Sequence, residues 1–180
     1  MIDLLKENIV ILKDSLDNVY LSEADLFLID LSEASISGSY LGECNLAGSS
    51  FNMANLSRSN LNKTNLCFAD FTSANLNSAS LMGANCTKAS FFGTDLRKSV
   101  LISADFNEAD LTHASLIGAD LRGVKNLTVD QLSETLTLYE AVLDSTLKRQ
   151  LLEKNIKLFC KPNQEVIIPK KIGRAKDAKH

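Results

Sequence analysis

The stretch NVYLSEADLFLIDLSEASISGSYLGECNL, residues 18–46, reads as one five-residue phrase, and the phrase runs on without a break to Gly123. Its clearest copies are SEADL at 22–26, GECNL at 42–46, TSANL at 72–76, NEADL at 107–111 and IGADL at 117–121. With the Leu position called i, the frame places i at residue 21 and at every fifth residue to 121, which is 21 positions. Leu fills fifteen of them; Phe51, Phe71, Phe91 and Phe106 fill four, and Ile36 and Cys86 fill the rest. Position i−2 is small, with only Val19 and Ile29 large, and position i−1 is Asn or Asp in thirteen copies.

A period of five is neither helical nor a plain strand alternation. Fixed internal periods point to architectures in which each unit buries its apolar side by stacking on neighbours. Residues i−2 and i are two apart, so a short extended segment turns both to one face. The remaining positions face water or form a corner. Small residues at i−2 suit a wall beside a corner, where Leu would overpack. Gly occurs six times at i+2, a position at which a type II turn needs positive φ. The phenylalanines set the longer period. Phe51, Phe71 and Phe91 are twenty residues apart, as are Tyr20 and Tyr40, so four pentads make one coil and the three rings form an interior column ending in Leu31 and Leu111.

The A(D/N)LXX phrase resembles the pentapeptide-repeat family over about 105 of the 180 residues. The resemblance implies an all-β solenoid, a right-handed quadrilateral parallel β-helix, with short helical caps expected at both ends. It implies no single function. Some members of the family protect type II topoisomerases by imitating DNA, and others act in cyanobacterial regulation.

The flanks leave the frame. Residues 1–18 form an N-terminal cap, either a short amphipathic helix carrying Ile2, Leu5, Ile9, Leu12 and Leu16 or a degenerate first coil with Ile9 and Ile11 at i−2 and i. Residues 19–123 are the repeat, about five coils; residues 124–160 are a C-terminal helical cap. In that cap Thr128 and Gln131 have capping-box spacing for a helix over about 129–134, LYEAVL at 138–143 imitates a last extended side, and a helix from 144 or 145 to about 157 puts Leu147, Leu151 and Leu158 on one face. That face reads as the cap itself or, by analogy with the topoisomerase-protecting members, as a dimer interface. Residues 161–180 read as a flexible basic tail.

Composition bounds the function. Nineteen basic residues stand against twenty-two acidic ones, a net charge of −3, too small to call for a nucleic-acid or membrane partner. No run of 18 apolar residues exists, so no spanning helix is expected, and the N-terminus is a poor secretory signal; free thiols acting as small apolar core residues suit a reducing cytoplasm, the expected location. Cys44 and Cys86 are interior by frame, Cys67 is outward, and Cys160 follows the repeat; no CxxC or Cys/His cluster calls for a metal, and no cofactor motif is present. The two histidines, His113 and His180, leave His113 as the only base near Asp95, Asp110 and Thr112, which is not a catalytic constellation. The chain is therefore expected to be no enzyme but a non-catalytic scaffold that binds another protein. Tyr20, Phe27, Leu28, Tyr40 and Phe68 are outward by frame and apolar, and mark either a partner surface or a face covered by the N-terminal segment. Arg58, Arg97 and Lys98 read as solvated charge. The alternative reading is a DNA-mimicking regulator or protector of a type II topoisomerase. Between residues 19 and 123 eleven acids and six bases leave −5. A duplex of about 25 Å, the length of five coils, carries about 15 phosphate charges. Direct nucleic-acid binding is not expected either.

Overall fold

The computed structural model describes residues 15–162. The expected N-terminal cap lies, but for its last residues, outside them, and the tail beyond Pro162 lies outside them entirely. The chain winds with twenty residues per turn. Among the described residues twenty isolated bridges, all parallel, tie the windings together at position i−1, and eighteen of them join residues twenty apart, from Tyr20–Tyr40 to Asp105–Lys125.

One pentad shows why the phrase closes on itself, because all five of its N–H groups are accounted for. At residues 45–49, Asn45 N donates backward to Ala24 O, while Leu46 N and Gly48 N donate forward to Asn65 O and Cys67 O. Ser49 N donates to Leu46 O at 3.2 Å and closes the corner. The fifth group, Ala47 N, donates to the side-chain oxygen of Asn45. Every one of the thirteen Asn or Asp residues at i−1 accepts a bond of this last kind. This is the chemistry that lets Asn and Asp alternate there: either offers the oxygen that a backbone N–H at a corner needs.

The corner has φ between +54° and +66° at i+2 in all twenty-two copies from Asn18 to Gly123, of which only six are glycine. With the four-residue closing bond this is a type II turn. It also explains why the walls are not strands. The left-handed residue ends each extended run before two consecutive residues can pair. Among the described residues there is no β-strand and no sheet, only isolated bridges, two short α-helices and one 3-10 turn. The expectation of an all-β solenoid, a right-handed quadrilateral parallel β-helix, is corrected accordingly.

The interior follows the frame. Every i and i−2 side chain from Leu31 to Leu121 is buried, whereas Val19, Leu21 and Ile29 in the first winding are only partly so. Phe51 stacks on Phe71 at 4.8 Å and Phe71 on Phe91 at 5.1 Å, with rings within 5° of parallel; Phe106 tilts against Phe91. Buried hydroxyls at i−2 donate to main-chain carbonyls, as Ser49 does to Leu26 O and Thr94 to Phe71 O. No described buried polar side-chain atom is left without a partner.

At the C-terminal end helix α1 (Val129–Ser133) replaces one pentad of the last winding. Thr128 and Gln131 form the capping box, and Gln131 Nε2 also donates to Phe106 O and Ala109 O, both at 2.9 Å, carbonyls of the winding beneath. The chain then resumes its course, with Thr137 bridged to Ser115 and Val142 to Asp120, now at an offset of twenty-two. Helix α2 (Ser145–Lys154) and a 3-10 turn (Ile156–Phe159) close over the end, with Leu138 N bonded to Leu158 O.

Candidate interaction surface

Because i and i−2 face inward and i−1 caps a corner, chemistry on the outside is left to i+1, i+2 and any i−1 residue that is not Asn or Asp. The five apolar residues singled out by frame all occupy such positions, and all are exposed, from Tyr40 at 43% to Tyr20 at 77%. They fall into two groups. Tyr20 and Tyr40 are bridge partners on consecutive windings, and their rings stack at 4.5 Å and 5°. Phe27, Leu28 and Phe68 lie at the corner one pentad further on. There the i+2 residues of successive windings make a column: Leu28, Gly48, Phe68, Lys88, Glu108. A Cβ at Gly48 would meet Leu28 Cδ2 at 2.6 Å, so Leu28 lies over the glycine in the direction of Phe68. Lys88 sits 5.5 Å from the Phe68 ring centroid and pairs with Glu108.

Between the two groups the surface is acidic. Glu23 and Glu43 follow the tyrosines at their corner, and Asp25 stands on the next wall. A shallow groove of about 390 Å³ runs beside the tyrosines, lined by Ser22, Glu23, Gly42, Glu43, Asn60, Asn62 and Lys63. Glu43 is paired with Lys63 at 2.9 Å; among the described residues neither Glu23 nor Asp25 has an ion-pair partner. Asp25 caps Phe27 N and accepts from Asn45 Nδ2.

The residues assigned to the cap helix face the other way. Leu151 and Leu158 are buried in the core and Leu147 packs against it, so their side chains are engaged by this chain's own windings. Seven further large apolar side chains of the described repeat and cap are exposed without having been singled out by sequence: Met53, Met82, Phe92, Leu136, Val142, Leu152 and Ile156. The first three were signalled by frame, being at i+1 or i+2. Leu136 lines a second groove, of about 590 Å³, with Ile117, Arg97, Lys157, Lys161 and Cys160.

The reactive groups are held apart. All four cysteines are free; burial pushes the Cys86 thiol far up, with the nearby Asp105 carboxylate adding to it, and burial raises Cys44 as well. His113 stands edge-on to Phe92 at 5.5 Å rather than on a carboxylate. No three His, Cys, Asp or Glu side chains among the described residues converge as metal ligands. Asp120 is held below the usual carboxylate range by its bonds from Arg122; burial works to raise Asp95, and the Arg97 fork outweighs it. The aspartates of the repeat are thus engaged with corners and arginines.

A stack of five-residue corners whose interior holds mostly Leu or Phe at i and small residues at i−2 defines a repeat protein. Residues 24–62, 50–85 and 89–125 match Pentapeptide repeats, in eight copies, and the chain belongs to the pentapeptide-repeat family. That membership supports a generic, non-catalytic scaffold role. No curated protein matches the chain. Among solved structures it is similar to HetL, a pentapeptide repeat protein involved in heterocyst differentiation regulation from the cyanobacterium Nostoc sp. strain PCC 7120, at 24% identity over 76% of this chain and 77% of that one, with a TM-score of 0.28. A pentapeptide repeat protein from the Arabidopsis thaliana thylakoid lumen is 22% identical over 74% and 77%, with a TM-score of 0.31. Full-length QnrB1, a plasmid-mediated fluoroquinolone resistance protein, is 13% identical over 78% and 90%, with a TM-score of 0.35. At TM-scores below 0.5 none of these likenesses bears on function. No helix among the described residues is long and apolar enough to cross a membrane.

Proposed function

We propose that the chain is a non-catalytic scaffold that binds another protein through the surface bearing Tyr20, Phe27, Leu28, Tyr40 and Phe68. The observation that carries this reading is the contrast in burial. In a fold whose interior positions are filled by rule, five large apolar side chains on neighbouring walls are left in solvent. Exposed clusters of this kind mark protein contacts, with aromatic residues as the anchors. The family's DNA-mimicking role fits less well, since seven of the eleven repeat acids are aspartates at i−1 whose oxygens cap corners. On this reading the protein neither inhibits gyrase supercoiling nor rescues it from quinolone at micromolar concentration.

The test is affinity capture from the native cell with wild type and with Tyr20→Ser/Phe68→Ser. Loss of a captured protein by a variant that still unfolds like wild type supports the surface. Retention of every captured protein by that variant overturns it, and salt-sensitive activity in either gyrase assay replaces it with the mimic.

A further inference from the structure

Charge divides this molecule more sharply than its net value suggests. Residues 15–57 contain Asp17, Glu23, Asp25, Asp30, Glu33 and Glu43 and no Lys, Arg or His. The described remainder, 58–162, carries twelve Lys or Arg against eleven acids. The acid-only windings are the ones that expose Tyr20, Phe27, Leu28 and Tyr40.

The order of residues around the winding makes this more than proximity. From Tyr20 the chain passes Glu23 at the corner, Asp25 on the next wall, then Phe27 and Leu28 at the following corner. The surface is therefore apolar, acidic, apolar. An apolar partner laid across it would strip water from Glu23 and Asp25 without replacing their bonds, which is costly. A partner that places a cation there avoids that cost. Stacked aromatic rings favour the same ligand, since a guanidinium is attracted to an aromatic face and bonds a carboxylate with a planar fork. Gly42 leaves the groove between Glu23 and Glu43 free of a side chain on that winding. We infer that the partner of this surface is a basic, amphipathic segment of another protein, with Arg or Lys between apolar residues. The inference rests on the surface proposed above and adds the partner's chemistry.

The experiment uses the full chain and a fluorescent peptide with three arginines set among Leu and Phe, beside the same peptide with glutamate for arginine. Fluorescence anisotropy should show the basic peptide binding at least tenfold tighter, and weakening as salt rises. The variant Glu23→Gln/Asp25→Asn/Glu43→Gln should lose at least tenfold in affinity; Asn at 25 keeps the corner bond that Asn makes at 45 and 55. Equal affinity for the two peptides, or an unchanged affinity in the variant, overturns the inference. Cell capture separates it from the reading beneath. A partner lost by Tyr20→Ser/Phe68→Ser yet kept by the carboxylate variant leaves the surface standing and removes the basic partner.

Discussion

A single pentad contains most of the protein's logic, and its outer corner is where the sequence was least transparent. Six glycines at i+2 announced a left-handed corner, but sixteen other residues adopt the same φ, among them Arg58, Met53 and Phe68. Their identities carry no such signal; the coil imposes the conformation because three inter-winding bonds per pentad hold the backbone on either side. Such residues store strain of about 1 kcal/mol each. Arg58, which makes none of the ion pairs among the described residues, should therefore gain up to about 1 kcal/mol on Arg58→Gly, measured by urea unfolding. A loss of stability would mean that the corner is relaxed. The i−1 position was legible, since thirteen Asn or Asp predicted corner bonding and thirteen corners show it. Its exceptions were not: where Ser35 and Ser80 stand at i−1, Asp17 and Asn62 from the previous winding accept from Ser37 N and Met82 N instead. Acid should expose the charged corners. Asp95 and Asp120 titrate lower folded than unfolded, so their contribution to stability is complete above the unfolded value, near pH 4, and is lost as pH falls through the folded one. Arg97→Gln with Arg122→Gln should flatten that acid limb in melts taken from pH 6 to 2.

At the scale of elements, the interior column was readable from the twenty-residue spacing of Phe51, Phe71 and Phe91, because ring stacking requires one ring per winding at one wall. What periodicity could not reveal was whether neighbouring residues pair along a wall. Inward-facing i−2 and i look alike in a strand and in a single bridge between corners, and that is why the expected β-helix was wrong. Phe71→Ala, which empties the middle of the stack, should cost about 3–5 kcal/mol, and Ala74→Leu should destabilise by overpacking. Denaturant midpoints check both, and a Phe71→Ala value within about 0.5 kcal/mol of wild type would remove the column. Helix α1 offers a second test. The local sequence marks Gln131 only as a capping partner of Thr128; its bonds to Phe106 O and Ala109 O depend on where the last winding comes to lie, which no local pattern encodes. Gln131→Ala should cost about 1–3 kcal/mol, because Ala109 O loses the donor it has here and Phe106 O keeps only the corner bond from Ala109 N, more than Thr128→Ala, which loses one cap.

Over the whole molecule, positions that make the fold and positions free to bind are separated by register. The interior, the corners and the i−1 oxygens are committed; the outward apolar residues Tyr20, Phe27, Leu28, Tyr40 and Phe68 lie outside the buried core, and their substitution is expected to leave the structure intact. The frame placed Tyr20, Phe27, Leu28, Tyr40 and Phe68 outside, and the base-free run 15–57 is plain in the linear sequence; the grouping of Tyr20 with Tyr40 and of Leu28 with Phe68 on either side of Glu23, Glu43 and Asp25 shows only when the chain is wrapped at twenty residues per turn. The same separation places Leu151 and Leu158 with the core. Charge reversal on α2, as in Lys148→Glu/Arg149→Glu, should therefore leave the mass seen by light scattering unchanged, and a change would give that end a role in assembly. Fold and surface are separate in this molecule if thermal unfolding of Tyr20→Ser/Phe68→Ser matches that of wild type. The expected midpoint lies within about 2 °C of wild type, less than about 1 kcal/mol in a chain of this size. A fall as large as that of Phe71→Ala would place the aromatic surface in the core and contradict that separation.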